Sequence, residues 1–460
     1  MNRQTVRRAT NRDGSRPIGQ ADDVDPTANE PARRPRGAIL RPAIVYILLF
    51  GAQGAYLPYV SLYLASTGVD LGTVGALIAL FAVVGLIAAP AWGALADGIG
   101  DVRGPVVVAG ILSGGATLLL AVATGPLALA VATALLAATW AGVIPMVDSQ
   151  AVRLVGHRDR FGQARGPGSG AFVVIAFVTG AALGVAGPRG MFLIFGPMVV
   201  LTGIGAFFLL RLPPPVAAPG GPIRRRRSGA GQALAGLSPA TILGVLRTPR
   251  LGLFFVASVV IWTSHAALQG FISLRVRDLG GDATMVAATW SLGALIEVPL
   301  MTAFPRFARR FGAERLIVIG GLAFAIRAGL SAFLTTPTAI VLAAAFGGVG
   351  FSFFYVGAVT WVAASVGRSV QATAQGIVSG TSQSVGAIGG SIVGGAIGGV
   401  FGLPALFGLA AAGYVAGAIL VWFAIARGVP PPGPQDVSTS PSGPSAGPPG
   451  ASAGSAGLTV

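Results

Sequence analysis

The sequence predicts an all-α membrane protein with twelve transmembrane helices in two six-helix halves. Three observations predict it. Of 460 residues, 53% are hydrophobic and 10% charged, with a mean hydropathy of +0.77, whereas soluble domains average about 25% charged residues. Apolar runs close to the roughly 20 residues that cross a hydrocarbon core recur along the whole chain. Arginines gather in every second connector between those runs, the pattern of membrane proteins whose basic loops stay in the cytoplasm.

The elements follow in order. Residues 1–41 mix Arg with Asp22, Asp23, Asp25 and Glu30, lack aromatics, and predict a disordered cytoplasmic tail. Their length and polarity do not fit a cleavable signal peptide. The N-terminal half, 42–211, has spans at 42–65, 71–96, 104–123, 126–149, 166–187 and 190–211. A cytoplasmic linker over 212–250 holds Pro213, Pro214, Pro215 and the run Arg224 to Arg227, a composition that does not pack as a core. The C-terminal half, 251–426, has spans at 251–274, 284–305, 315–334, 337–363, 371–399 and 402–426. Residues 427–460, rich in Pro, Gly, Ser and Ala, predict a second disordered cytoplasmic tail. Each crossing must be helical, because lipid cannot satisfy an open sheet edge.

Orientation comes from the arginines. Connectors after even-numbered spans carry Arg103, then Arg153, Arg158 and Arg160, then Arg224 to Arg227 with Arg247 and Arg250, then Arg306, Arg309 and Arg310, then Arg368. The opposite face has Arg189, Arg275 and Arg277. Twelve crossings put both termini on the basic side, expected to be the cytoplasmic face of the cell membrane. The net charge of +16 and pI of about 11.6 then read as attraction to anionic lipid, with no nucleic-acid partner. Cysteine is absent, which excludes disulfides and thiolate chemistry. The halves also echo each other: Pro90 in span 2 matches Pro299 in span 8, and Gly180 to Gly184 in span 5 resembles Gly394 to Gly398 in span 11. Gly386, Gly390, Gly394 and Gly398 form a smooth stripe that predicts close packing of another helix.

Charges at mid-bilayer are expensive and face a cavity or a partner. At 1.5 Å rise per residue, Glu297 lies near the middle of span 8, Arg327 of span 9 and His265 of span 7. Gln53, Trp140 and Gln383 fall at similar depth in spans 1, 4 and 11. Polar groups from both halves thus gather near one plane, where membrane carriers bind solute. Glu297 is the expected proton carrier, with Arg327 shifting its proton affinity and His265 a relay or solute contact. Tyr56, Trp140 and Tyr355, with Gln53 and Gln383, are the candidate solute contacts. No HExxH, nucleotide-binding loop or metal-spaced His cluster occurs, so neither enzyme activity nor a metal or cofactor is expected. A Gly-x-Ser-x-Gly at Gly443 to Gly447 lies in the tail, outside the strand–turn–helix such a nucleophile needs.

Several segments resemble the major facilitator superfamily. The connector from Gly93 through Asp97, Gly100 and Asp101 to Arg103 is similar to its cytoplasmic signature, with Asp101 where a basic residue is usual. Tyr56 to Tyr59, Phe161 to Arg165, Gly168 to Gly170, Ser264-His265, Gly270-Phe271, Glu297 to Pro299, Arg327 and Ala374 to Gly376 resemble the branch holding lactose permease, nucleoside–proton symporters and phenylpropionate permeases. The resemblance implies the major facilitator fold, rocking of the two halves, and secondary active transport of a small organic solute, expected as proton symport by a monomer. The alternative is proton-coupled drug or metabolite efflux by antiport. Span 5 lacks the Gly-Pro-x-x-Gly-Gly run of many antiporters of this superfamily, which favours uptake. In lactose permease-like proteins an acid in span 4 and an Arg in span 5 help bind sugar. Here Asp148 and Arg165 lie nearer the cytoplasm and, with Asp97 and Arg103, are expected to form gating or structural charge contacts.

Overall fold

The computed structural model describes residues 37–156, 158–212, 247–366 and 371–426. Residues 1–36 of the first predicted tail, 213–246 of the linker with Arg224 to Arg227, the whole second tail, His157 and Arg368 lie outside the described residues, whereas 37–41, expected in the first tail, begin the helix Gly37–Tyr56. Among the described residues, eleven helical stretches are long and apolar enough to cross a membrane: Ile39–Ser66, Leu71–Ile99, Arg103–Val122, Gly125–Val155, Arg160–Ala186, Gly190–Leu209, Pro249–Asp278, Ala283–Phe311, Ala313–Phe333, Pro337–Ser365 and Ser382–Ile425. The last is two crossings. Gly402 breaks it with φ 83° and ψ 165°, a backbone conformation that glycine alone adopts cheaply. Spans 1 to 10 are numbered in that order, and spans 11 and 12 lie on either side of Gly402.

Three spans are interrupted, each for a local reason. Span 1 divides into Gly37–Tyr56 and Val60–Ser66, because Pro58 has no N–H for the carbonyl of Gly54. Span 4 divides into Gly125–Trp140 and Val143–Val155; Pro145 likewise leaves the carbonyl of Ala141 unpaired by helix. Trp92 of span 2 covers this second break. Its indole Nε1 donates to the Ala138 carbonyl at 2.7 Å, and a Cβ on Gly142 would lie 2.3 Å from the Trp92 Cβ. Hydropathy predicts span 11 as one uniform helix over 371–399. Instead Gln371–Gln375 is followed by a π-helical turn, Gly376–Thr381, before α-helix resumes at Ser382. Such a turn inserts one extra residue per hydrogen bond and rotates the helix beyond it.

The halves are built alike. Span 1 packs on spans 5 and 6, span 3 on spans 4 and 6, and span 2 on span 4. Six spans later the same pairings recur: span 7 on spans 11 and 12, span 9 on spans 10 and 12, and span 8 on span 10. Spans 2 and 8 even begin with one device, Asp70 accepting from the Thr73 N–H at 2.9 Å and Asp282 from the Met285 N–H at 2.8 Å, which satisfies an orphan donor at a helix N-terminus. The glycine stripe of span 11 faces span 7. A Cβ on Gly390 would lie 2.1 Å from the Thr263 carbonyl oxygen.

The halves meet closely where spans 2 and 8 begin and spans 5 and 11 end. Spans 2 and 11 cross backbone to backbone, so a Cβ on Gly75 would sit 2.3 Å from the Ser391 oxygen and 2.8 Å from the Gly395 Cα. Spans 5 and 8 cross at Gly180, whose Cβ would meet the Ala283 carbonyl at 2.9 Å. The Tyr59 hydroxyl ties this corner, 2.7 Å from the Ala176 carbonyl and 3.2 Å from that of Ala283. Large apolar side chains such as Ile87, Leu118 and Phe333 point outward, exposed by 71%, 69% and 84%, a surface only lipid accommodates.

Candidate functional site

Between the halves lies a cavity of about 380 Å³, walled by spans 1 and 5 on one side and by spans 7, 8, 9 and 10 on the other. Gln53 enters from span 1, His265 and Gln269 from span 7, Glu297 from span 8 and Arg327 from span 9. Phe50, Phe172, Trp290 and Phe351 supply apolar surface.

Glycines decide how the C-terminal wall is made. Spans 8 and 10 approach through Gly293 and Gly348; a Cβ on Gly348 would lie 2.5 Å from the Gly293 carbonyl oxygen and 3.1 Å from the Glu297 nitrogen. The Ser352 hydroxyl donates to the Glu297 carbonyl at 3.0 Å. These contacts fix the backbone at Glu297 and leave its carboxyl as the part free to face the cavity. Arg327, 5% exposed, lies across Gly347, where a Cβ would come within 2.5 Å of its NH1 and 2.9 Å of its Cδ. Neither Glu297 nor Arg327 belongs to an ion pair within 4.0 Å among the described residues, and neither side chain makes a hydrogen bond there. The His265 Nδ1 is 3.2 Å from the Tyr414 hydroxyl, and the imidazole packs edge-on against Phe324 and Trp262. One amide atom is orphaned: the buried Gln269 Oε1 has no partner among the described residues.

Of the expected residues, Gln53, His265, Glu297 and Arg327 are brought together. Tyr56 and Trp140 sit elsewhere, each 7% exposed and packed on Phe195 with ring centroids 4.7 and 6.0 Å away. Tyr355 stacks on Phe351 at 5.2 Å, one layer behind the lining. Gln383 of span 11 is half-buried and outside the lining. Asp148 and Arg165 do pair, at 3.2 Å, and the Tyr46 hydroxyl donates to Asp148 at 2.5 Å. The Arg165 guanidinium also lies 4.9 Å from the centre of the Phe50 ring, so this cluster touches the cavity from its side. Asp97 is exposed. Arg103 pairs with Asp101 at 2.7 Å, and that bonded guanidinium holds the Asp101 carboxyl below the usual carboxylate range.

Sequence reasoning missed Phe50, Phe172, Gln269, Trp290 and Phe351. A signal existed for two of them. Gln269 follows His265 by four residues and Phe50 precedes Gln53 by three, spacings that share a helix face. Among the described residues no group of three or more His, Cys, Asp or Glu could hold a metal ion.

A family model described as the MFS_1 like family matches residues 39–409. The chain is 28% identical over 287 residues to a maltose permease of Geobacillus stearothermophilus, covering 62% of this chain and 68% of that one. The fold resembles the nucleoside transporter NupG, with a TM-score of 0.70 at 18% identity over 84% of this chain and 98% of that one. It also resembles PepTSo, a transporter of the POT family, with a TM-score of 0.59 at 13% identity over 85% and 97% of the two chains.

Proposed function

The chain belongs to the MFS_1 like family of major facilitator transporters, and from that premise we propose that it takes up a small organic solute together with protons across the cell membrane. One observation carries the coupling: Glu297 and Arg327 reach the same inter-half cavity without pairing with each other. A carboxylate at that depth is tolerated with a counter-ion close by or with a proton on it. Movement of one half against the other changes which of the two applies, and so ties proton binding to solute binding.

The arginine distribution supports cytoplasmic termini. With that orientation the close contacts at Gly75 and Gly180 lie on the outer face, which supports reading the conformation as the cytoplasm-facing one of an alternating-access cycle. Relatives named for maltose and nucleosides support a small metabolite as the solute. In span 5, Gly166-Pro167-Gly168-Ser169-Gly170-Ala171 departs from the Gly-Pro-x-x-Gly-Gly run only at Ala171, so the direction of transport is read from the vesicle experiment.

The test is proton movement in proteoliposomes of the full chain, read by an entrapped pH dye while sugars, nucleosides, peptides and organic acids are added outside. Acidification of the lumen as a solute enters is the expected result. Entry with an alkalinised lumen would make the protein an antiporter, and entry without proton flux would remove the coupling.

A further inference from the structure

We propose that the solute is an organic anion, a carboxylate on a flat apolar body, and that Arg327 holds the carboxylate. The inference rests on the transport reading and deepens it. Two buried arginines differ in how their charge is met. Arg275, 6% exposed, is fully engaged: its guanidinium donates to the Ser331 carbonyl at 3.3 Å, the Leu334 carbonyl at 3.1 Å and the Asp278 carboxylate at 2.8 Å. That is how a structural arginine survives burial. Arg327, 5% exposed, has none of this among the described residues and borders the cavity instead. Its five donors cannot be switched off, because a guanidinium does not deprotonate in proteins. A cation this buried needs an anion, and the fork geometry matches a carboxylate.

The rest of the cavity describes the body of that anion. Phe50, Phe172, Trp290 and Phe351 line it. The one polar atom of Trp290 is used, since its Nε1 donates to the Ser273 hydroxyl at 3.1 Å. Beyond the guanidinium the solute therefore meets these rings, with Gln53, Gln269, Ser169 and Thr289 as the neutral polar groups between them. A space of about 380 Å³ is far too large for a bare inorganic ion.

Charge counting agrees. The titratable groups lining the cavity are Glu297, Arg327 and His265, and His265 faces the neutral hydroxyl of Tyr414; Arg165, behind Phe50, is balanced by Asp148 at 3.2 Å and adds no net charge. With imidazole neutral, an empty cavity with Glu297 ionised carries no net charge. A cavity holding one organic anion and one proton on Glu297 also carries none. Both states cross the apolar membrane interior without an unbalanced charge, whereas a neutral solute with one proton would leave +1. One anion enters with one proton, and nothing else moves.

The experiment compares acids with their own amides. Full-length protein in detergent is titrated with benzoate, phenylacetate and indole-3-acetate, and with benzamide, phenylacetamide and indole-3-acetamide, following tryptophan fluorescence. The expected result is binding of the aromatic acids at least about tenfold tighter than the amides, since a charge-assisted pair at a desolvated site is worth that much. R327Q should erase the preference, and R327K should keep part of it by retaining charge without the fork. The wild-type comparison decides even if R327Q does not fold. Amides binding as well as acids, or no acid binding at all, would overturn the inference. Maltose or uridine carried with protons under the same conditions would also overturn it while leaving proton-coupled transport standing. Acids bound through Arg327 but carried without protons would sink the coupling and leave the anion site. In vesicles, uptake of a bound acid should follow the pH gradient and ignore a potassium diffusion potential; uptake driven by the potential would refute the charge count.

Discussion

Replacing Gly75 by alanine should open the face that this conformation holds shut. The added Cβ would lie 2.3 Å from the Ser391 oxygen and 2.8 Å from the Gly395 Cα. Both neighbours are backbone, so no side chain can turn aside. Restoring ordinary contact means parting spans 2 and 11 by about 1 Å, and overpacking of that kind costs about 1–3 kcal/mol. Since about 1.4 kcal/mol is a factor of ten, the ratio of the opened to the closed arrangement should rise roughly 5- to 150-fold. The chain has no cysteine, so a single one introduced at Leu57, on the cavity wall, is a clean reporter. A membrane-impermeant maleimide added on the side where spans 2 and 8 begin should label Leu57→Cys several-fold faster in the Gly75→Ala background. Equal or slower labelling would refute the idea that this glycine crossing is the closure.

Three other changes test separate parts of the account. Arg275→Met removes the donor from the buried Ser331 carbonyl and the half-buried Leu334 carbonyl, and should destabilise by about 2–4 kcal/mol, seen as a lower thermal midpoint in detergent. Gly347→Ala would put a methyl carbon 2.5 Å from the Arg327 NH1; solute affinity should fall at least about tenfold if the guanidinium must stay where it lies, while the thermal midpoint changes far less. Asp282→Ala loses the cap on span 8 and should cost about 1 kcal/mol, a loss that Asp282→Asn should largely avoid.

The spans and their number were legible because lipid leaves the chain so few options. Long uncharged runs must be helices, and arginine between them must stay on one face. The breaks had visible causes in Pro58 and Pro145, yet their consequence, Trp92 filling the notch at Gly142, depended on a helix distant in sequence. In the site, depth was readable and direction was not. Counting residues along a helix put Glu297, Arg327, His265, Gln53 and Trp140 near one plane. Rotation about each helix axis then turned the first four inward and Trp140 onto Phe195. That rotation is set by glycine contacts such as Gly293–Gly348 and by the π-turn before Gln383, which no residue count reveals. The two-residue comparison that separates Arg327 from Arg275 likewise required their hydrogen-bond partners.

The most direct measurement replaces Glu297 by Gln, which keeps the shape and removes the titrating oxygen. Wild-type and variant proteoliposomes are loaded with the same solute and followed in two modes, accumulation under an imposed pH gradient and exchange with none. If Glu297 carries the proton, the variant loses accumulation and keeps exchange. A variant that still concentrates solute against its gradient when the outside is made acidic would show that the proton travels by another route.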